Sequence, residues 1–163
     1  MHKNIVKMGI LCCLTLFGCL QFWRPDLNNP VTDAALELSS QAQMADEVSA
    51  IFERACRDCH SNQTDWPWYS RVAPVSWLIA SDVRLGRQRL NFSEWGRYNE
   101  RQIENKLAEI CAAVQAGAMP LKNYTLIHRD AKLTTAEVQA ICSWTKQASA
   151  RLHATNADEA LRY

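Results

Sequence analysis

Apolar residues recur at helical spacing through successive stretches of this chain, and nowhere do they alternate as in a strand. Met44, Val48, Ile51, Phe52, Ala55 and Cys59 form one such face, with Asp46 and Glu47 near its start, where the helix dipole favours acid. Val75, Leu78, Ile79 and Val83 predict a second helix that opens after Pro74 and ends near Gly86. Asn91 with Glu94 has the spacing of a capping box ahead of a short helix. Ile103, Leu107, Ile110, Cys111 and Val114 predict a longer helix closed by Gly117. Thr134 with Glu137 is another capping box, opening a final helix through Val138, Ile141, Cys142, Trp144 and Leu152. Helices joined by irregular loops predict an all-α domain.

Ahead of these faces, Ile5 to Trp23 is apolar apart from Lys7, Thr15 and Gln21. As a helix this run covers about 28 Å, close to the hydrocarbon thickness of a bilayer. Lys7 can snorkel to the headgroups, Trp23 and Arg24 suit an interface, and Pro25 stops the helix. No small-x-small cleavage site follows closely, since Thr32-Asp33-Ala34 lies about ten residues too far along. Leu16-Phe17-Gly18-Cys19 has the outline of a lipoprotein box, with a bulky Phe17 that fits it poorly. An uncleaved anchor is the leading reading, ahead of a lipoprotein or a secreted form. Lys3 and Lys7 before the span put the N-terminus in the cytoplasm and the body outside, so the expected setting is a bacterial inner membrane with a periplasmic domain. The chain divides accordingly into an anchor at 1–25, a polar tether at 26–42, a domain at 43–155 and a tail at 156–163.

Composition narrows the functions. From Ala34 onward there are 15 Lys and Arg against 15 Asp and Glu, so no basic patch points to nucleic acid and no net field points to a particular protein partner. The seven cysteines fall into three groups: Cys12, Cys13 and Cys19 in the span, Cys56 and Cys59 together, and Cys111 and Cys142 on separate helices. The last two are either a disulfide, favoured outside the cytoplasm, or two buried thiols.

Cys56-Arg57-Asp58-Cys59-His60 carries the chemistry. Two thiols three residues apart followed by an imidazole are the attachment signature of a c-type haem. The thiols add to the vinyl groups, and His60 becomes an axial ligand to iron. Half of a zinc site would want a second close ligand pair, which Cys111, Cys142 and His128 do not supply. A redox dithiol would want a strand–helix–strand setting. For the other axial position the candidates outside the span are Met44, Met119, His128 and His153. Met119, in Gly117-Ala118-Met119-Pro120, leads because it follows a helix end and precedes a stiffening proline; His128 is the rival. Trp66, Trp68, Tyr69, Trp77 and Trp95 either wall a porphyrin or pack the core, and Arg71, Arg84, Arg87 and Arg89 are candidate partners for haem propionates.

Taken together, these runs resemble the haem-binding domain family of bacterial membrane-anchored c-type cytochromes. The likeness is carried by Gln21-Phe22, Arg24-Pro25 and Asn28-Asn29-Pro30, then by Cys56 to Asn62 and Trp66-Pro67-Trp68-Tyr69-Ser70. It continues through Ala73-Pro74-Val75-Ser76-Trp77, Asn91 to Trp95, Met119-Pro120-Leu121, Tyr124 and His128. The resemblance implies a cytochrome c-like fold, Cys56 and Cys59 as covalent attachment points, and His60 and Met119 as iron ligands; Cys111 and Cys142 fall where the family carries cysteines, which adds weight to a disulfide without deciding between it and two thiols. The function expected on both grounds is a membrane-anchored monohaem cytochrome passing single electrons between redox proteins, and not an enzyme. A haem sensor with a displaceable sixth ligand is the alternative, and a haem peroxidase, with His128 as distal acid–base, stands behind it.

Overall fold

Among the residues described by the computed structural model, 2–160, every regular element is helical and there is no strand. The first helix, α1 (His2–Leu20), buries none of its residues, and by length and composition it is able to cross a membrane. Two long helices, α6 (Glu100–Gln115) and α8 (Thr135–Ala160), pack along each other and are joined by a disulfide between Cys111 and Cys142, whose Cα atoms are 4.8 Å apart. Against them lies α3 (Asp46–Ala55), and the remaining helices, α2 (Leu38–Gln41), α4 (Arg57–His60), α5 (Val75–Arg89) and α7 (Lys122–Ile127), surround this core.

The core follows the helical faces read from the sequence. Val48, Ile51 and Phe52 of α3 meet Leu107, Ile110 and Val114 of α6 and Ile141 and Trp144 of α8. Phe52 is the hinge of this packing, with its ring 5.3 Å from that of Phe92 and 5.2 Å from that of Trp144. Burying each such side chain is worth about 1.5–3 kcal/mol, which explains why these faces dominate a chain of only 163 residues. Thr134 caps α8 as expected, with its backbone N–H and hydroxyl donating to Glu137 and the Glu137 N–H returning to Thr134. Gly117 closes α6 with φ of 63°, the left-handed conformation that glycine adopts without a Cβ penalty.

Several local expectations differ from the structure. The capping box at the start of α6 is Asn99 with Gln102; Asn91 instead caps a single turn at Phe92–Arg97, and Glu94 does not return the bond. Helix α5 does not end near Gly86 but continues to Arg89, and it buries Ser76 and Val83 while Val75 and Leu78 stay exposed. The helix before the attachment motif stops at Ala55, because Cys56 has φ −129° and ψ −35°, so Cys56 joins two helices rather than lying on one.

The segment 26–42 is strapped to the domain. Leu38 enters the core at 4% exposure, and Asn29 donates to the Thr64 carbonyl. Leu36 packs so closely on Gly96 that a Cβ there would lie 3.1 Å from it. Of the expected tail at 156–163, the backbone to Ala160 continues α8, and residues 161–163 lie outside the described residues.

Candidate functional site

One apolar cavity of about 300 Å³ gathers the chemistry read from the sequence. Cys56, Cys59 and His60 line it together with Met119, Pro120 and Leu121 and with residues of α3, α5 and α6. Phe52, Leu90, Phe92, Ile110 and Val114 supply apolar walls. Leu85 lines the same cavity while 51% exposed, an apolar surface awaiting cover.

The geometry of His60 is set by two main-chain acceptors. Its Nδ1 lies 3.0 Å from the Leu90 carbonyl oxygen and 3.2 Å from that of Gly86. A carbonyl can only accept, so Nδ1 carries the proton and Nε2 keeps its lone pair for a metal. Burial lowers the imidazole's pKa more strongly than these two bonds raise it, which favours the neutral ring. The ring is also held against Phe92, with centroids 5.9 Å apart.

Gly86 explains how α4 and α5 come together. A Cβ built there would stand 2.5 Å from the Cys59 carbonyl oxygen, so only glycine permits the approach that brings the Gly86 carbonyl to His60. Asp58, between the two thiols, is a staple: Oδ1 accepts from the Asp65 N–H at 3.1 Å and Oδ2 from the Tyr124 hydroxyl at 3.0 Å. Arg87 ties the end of the motif to the 26–42 strap, donating to the Ser61 carbonyl at 2.7 Å, to Asn29 Oδ1 at 2.7 Å and to the Thr64 hydroxyl at 2.8 Å. Behind His60, buried Asn62, Asn91 and Ser93 satisfy one another: the Asn62 N–H donates to Ser93 Oγ and the Asn91 amide to Asn62 Oδ1.

Burial holds both motif thiols far above the ordinary cysteine range. Cys56 is raised to about 12, chiefly by burial and then by Cys59; Cys59 is raised to about 11, chiefly by burial and then by the Asp58 carboxylate. A redox dithiol needs the reverse, a thiolate stabilised near neutral pH. Among the described residues no three His, Cys, Asp or Glu side chains form a group suited to a bare metal ion. A largely apolar cavity lined by two half-buried thiols, an imidazole with a free Nε2 and a thioether has the donor set for a flat, apolar, iron-bearing ring. The residues present therefore fit a haem.

The structure separates the rivals for the second axial position. Met119 lines the cavity, its backbone fixed because the N–H groups of Ala118 and Met119 both donate to the Ala113 carbonyl, at 2.9 and 3.3 Å. His128 is not among the lining residues: the Tyr69 hydroxyl and its Nε2 share a hydrogen bond of 2.6 Å, and its ring stacks on Tyr124 at 4.3 Å. Met44 packs against the core, and His153 lies beside Glu104 on the surface. None of the tryptophans lines the cavity. Trp95 is core, Trp66 and Trp77 spend their indole N–H groups on Asn29 and on the Trp23 carbonyl, and Trp68 is exposed.

Of the four arginines considered, only Arg89 reaches the rim, joined there by Lys106, which sequence reasoning missed. No local pattern marks Lys106, because its place follows from α6 crossing the end of α5, where its Nζ donates to the Arg89 carbonyl at 2.7 Å. Gly86 had a signal in the sequence, a glycine within a run that stays helix-compatible through Arg89, and such a residue marks close backbone approach as readily as a helix end.

Comparison with known proteins gives one match. The sequence model of a family described as a haem-binding domain fits residues 15–147, most of the chain and the whole of the cavity lining. No curated protein and no solved structure matches this sequence.

Proposed function

This chain belongs to the haem-binding domain family, and from that premise we propose that it is a membrane-anchored, monohaem c-type cytochrome that carries single electrons. The observation that carries the reading is the convergence of Cys56, Cys59, His60 and Met119 on one apolar cavity, with His128 engaged elsewhere.

When bound, the haem supplies a one-electron couple, Fe(III)/Fe(II), with no bond made or broken in a substrate. The protein's own residues do the rest. Cys56 and Cys59 would hold the ring, each thiol adding across one vinyl group to give a thioether. His60, its Nδ1–H committed to the Leu90 and Gly86 carbonyls, offers Nε2 in a fixed orientation, and those bonds make the nitrogen a better donor. Met119 would be the second protein ligand, a thioether that raises the reduction potential relative to a second histidine. Phe52, Phe92, Ile110 and Val114 keep water from the ring, while Arg89 and Lys106 at the rim supply cations for its carboxylates. Helix α1 would keep the domain at the outer face of a bacterial inner membrane, within reach of membrane-bound donors and soluble or membrane-bound acceptors.

Expression in a host able to mature c-type cytochromes tests the reading directly. The product should keep its colour through acid–acetone extraction and stain for haem on a denaturing gel. The reduced protein should be low-spin and should not react with carbon monoxide. Ready carbon monoxide binding by the native reduced form would favour the sensor reading, and loss of all colour on extraction would remove covalent attachment.

A further inference from the structure

Gln21 and Trp23, immediately after α1, are hydrogen-bonded to the domain. The Gln21 amide makes a two-point clamp on one residue, accepting from the Ala73 N–H at 3.0 Å and donating to the Ala73 carbonyl at 3.2 Å. Trp77 Nε1–H donates to the Trp23 carbonyl at 2.7 Å. These contacts join the end of the span to the first turn of α5.

We propose that the first turn of α5 is a membrane-contact surface, resting on the lipid headgroup–acyl boundary of the bilayer that α1 spans. The inference rests on the anchor reading and on depth. The apolar run that opens at Ile5 and closes at Trp23 covers about 28 Å as a helix, close to the hydrocarbon layer of about 30 Å, so its last residues reach the outer boundary of that layer. Gln21 to Trp23 therefore fall in the interfacial layer, and a domain residue within hydrogen-bond distance of them lies at the same depth. Ala73 and Trp77 are so placed.

The side chains beside them match that solvent. Val75 is 41% and Leu78 52% exposed, although both are large and apolar. Three residues apart on one helix, they share a face, and it is not the face of Ser76 and Val83 that enters the core. Asp82 and Leu85 farther along the same stripe of α5 line the cavity and Val75 and Leu78 do not, so the apolar surface of α5 runs on beyond the cavity to the turn that holds Gln21. Phe22 and Trp23, 90% and 79% exposed, continue the apolar surface from the span side, and Arg71 adds an exposed cation suited to anionic headgroups. A bilayer interface covers this surface, in continuity with the span. It follows that the cavity is carried at a fixed height and tilt above the membrane instead of swinging on a leash.

The test uses the full chain in vesicles of phosphatidylethanolamine and phosphatidylglycerol. The photoreactive residue p-benzoylphenylalanine is placed in turn at positions 75, 78 and 147, the last an exposed site on α8, which packs on α3 and α6. After flotation and illumination, lipid adducts are read by mass spectrometry. Adducts at 75 and 78 with none at 147 are expected, and Gln21→Ala should reduce the yield at 78. Flotation without adducts at 75 and 78, equal yield at 147, or crosslinks to a second copy of the chain in place of lipid would overturn the surface while leaving the anchor intact. Failure to float with the vesicles would overturn both.

Discussion

Gly86 and Cys59 approach so closely that a methyl group on the first would stand 2.5 Å from the carbonyl oxygen of the second. The contact brings α5 against the attachment motif and sets the Gly86 and Leu90 carbonyls on His60. Gly86→Ala should therefore push α4 and α5 apart, at a cost of about 1–3 kcal/mol, the usual range for overpacking. It should also lower the haem-to-protein ratio of the purified product. Urea denaturation and a pyridine haemochrome assay measure the two effects; a variant with unchanged midpoint and full haem content would show that the approach is not needed.

Met119 and His128 give opposite expectations. Met119→Ala should open the iron to carbon monoxide and lower the reduction potential, because the thioether is replaced by water or by nothing. His128→Ala should leave both unchanged, since that ring bonds to Tyr69 and stacks on Tyr124 outside the cavity. Absorption spectra and redox titration of the two variants decide it, and the reverse pattern would exchange the ligands.

The Cys111–Cys142 bridge closes a loop of 31 residues between α6 and α8. Replacing both cysteines by alanine should cost about 2–4 kcal/mol of unfolding free energy. Alkylation of the denatured, unreduced protein followed by peptide mapping should label neither position; labelling of both would mean the pair is reduced.

Acid should weaken the start of α8 through Glu137. Its carboxyl is held below the ordinary value of 4.5, first because the Thr134 backbone N–H donates to it and then through the Thr134 hydroxyl and the Arg54 guanidinium. A carboxyl lowered in the folded state adds stability that is fully present above its unfolded value and is lost as pH falls through the folded one. Glu137→Gln should therefore be less stable than the native chain at neutral pH, with the gap narrowing below about pH 4.5. Denaturation midpoints taken from pH 7 to pH 3 would show this, and a gap independent of pH would assign the loss to packing instead.

Much of this protein is written in local patterns. The period of Val48, Ile51 and Phe52, and that of Leu107, Ile110 and Val114, each determines a buried helical face, because a helix has one face to turn inward whatever it meets. The pentad from Cys56 to His60 is legible as a haem-attachment signature, since two thiols three residues apart followed by an imidazole form that pattern wherever they sit in a fold. The apolar run of α1 is likewise legible from length alone. Tertiary structure decided what depends on which element crosses which. It put Met119 in the cavity lining and left His128 out of it, although both lie in the same connecting region, because the Ala113 carbonyl holds the one backbone while Tyr69 and Tyr124 hold the other ring. It brought Lys106 to the rim beside Arg89, gave Gly86 a contact rather than a helix end, and drew residues 26–42 onto the domain through Leu38 and Arg87. Those outcomes rest on contacts between residues distant in sequence, and a periodicity read along one segment carries no information about the partner it will meet.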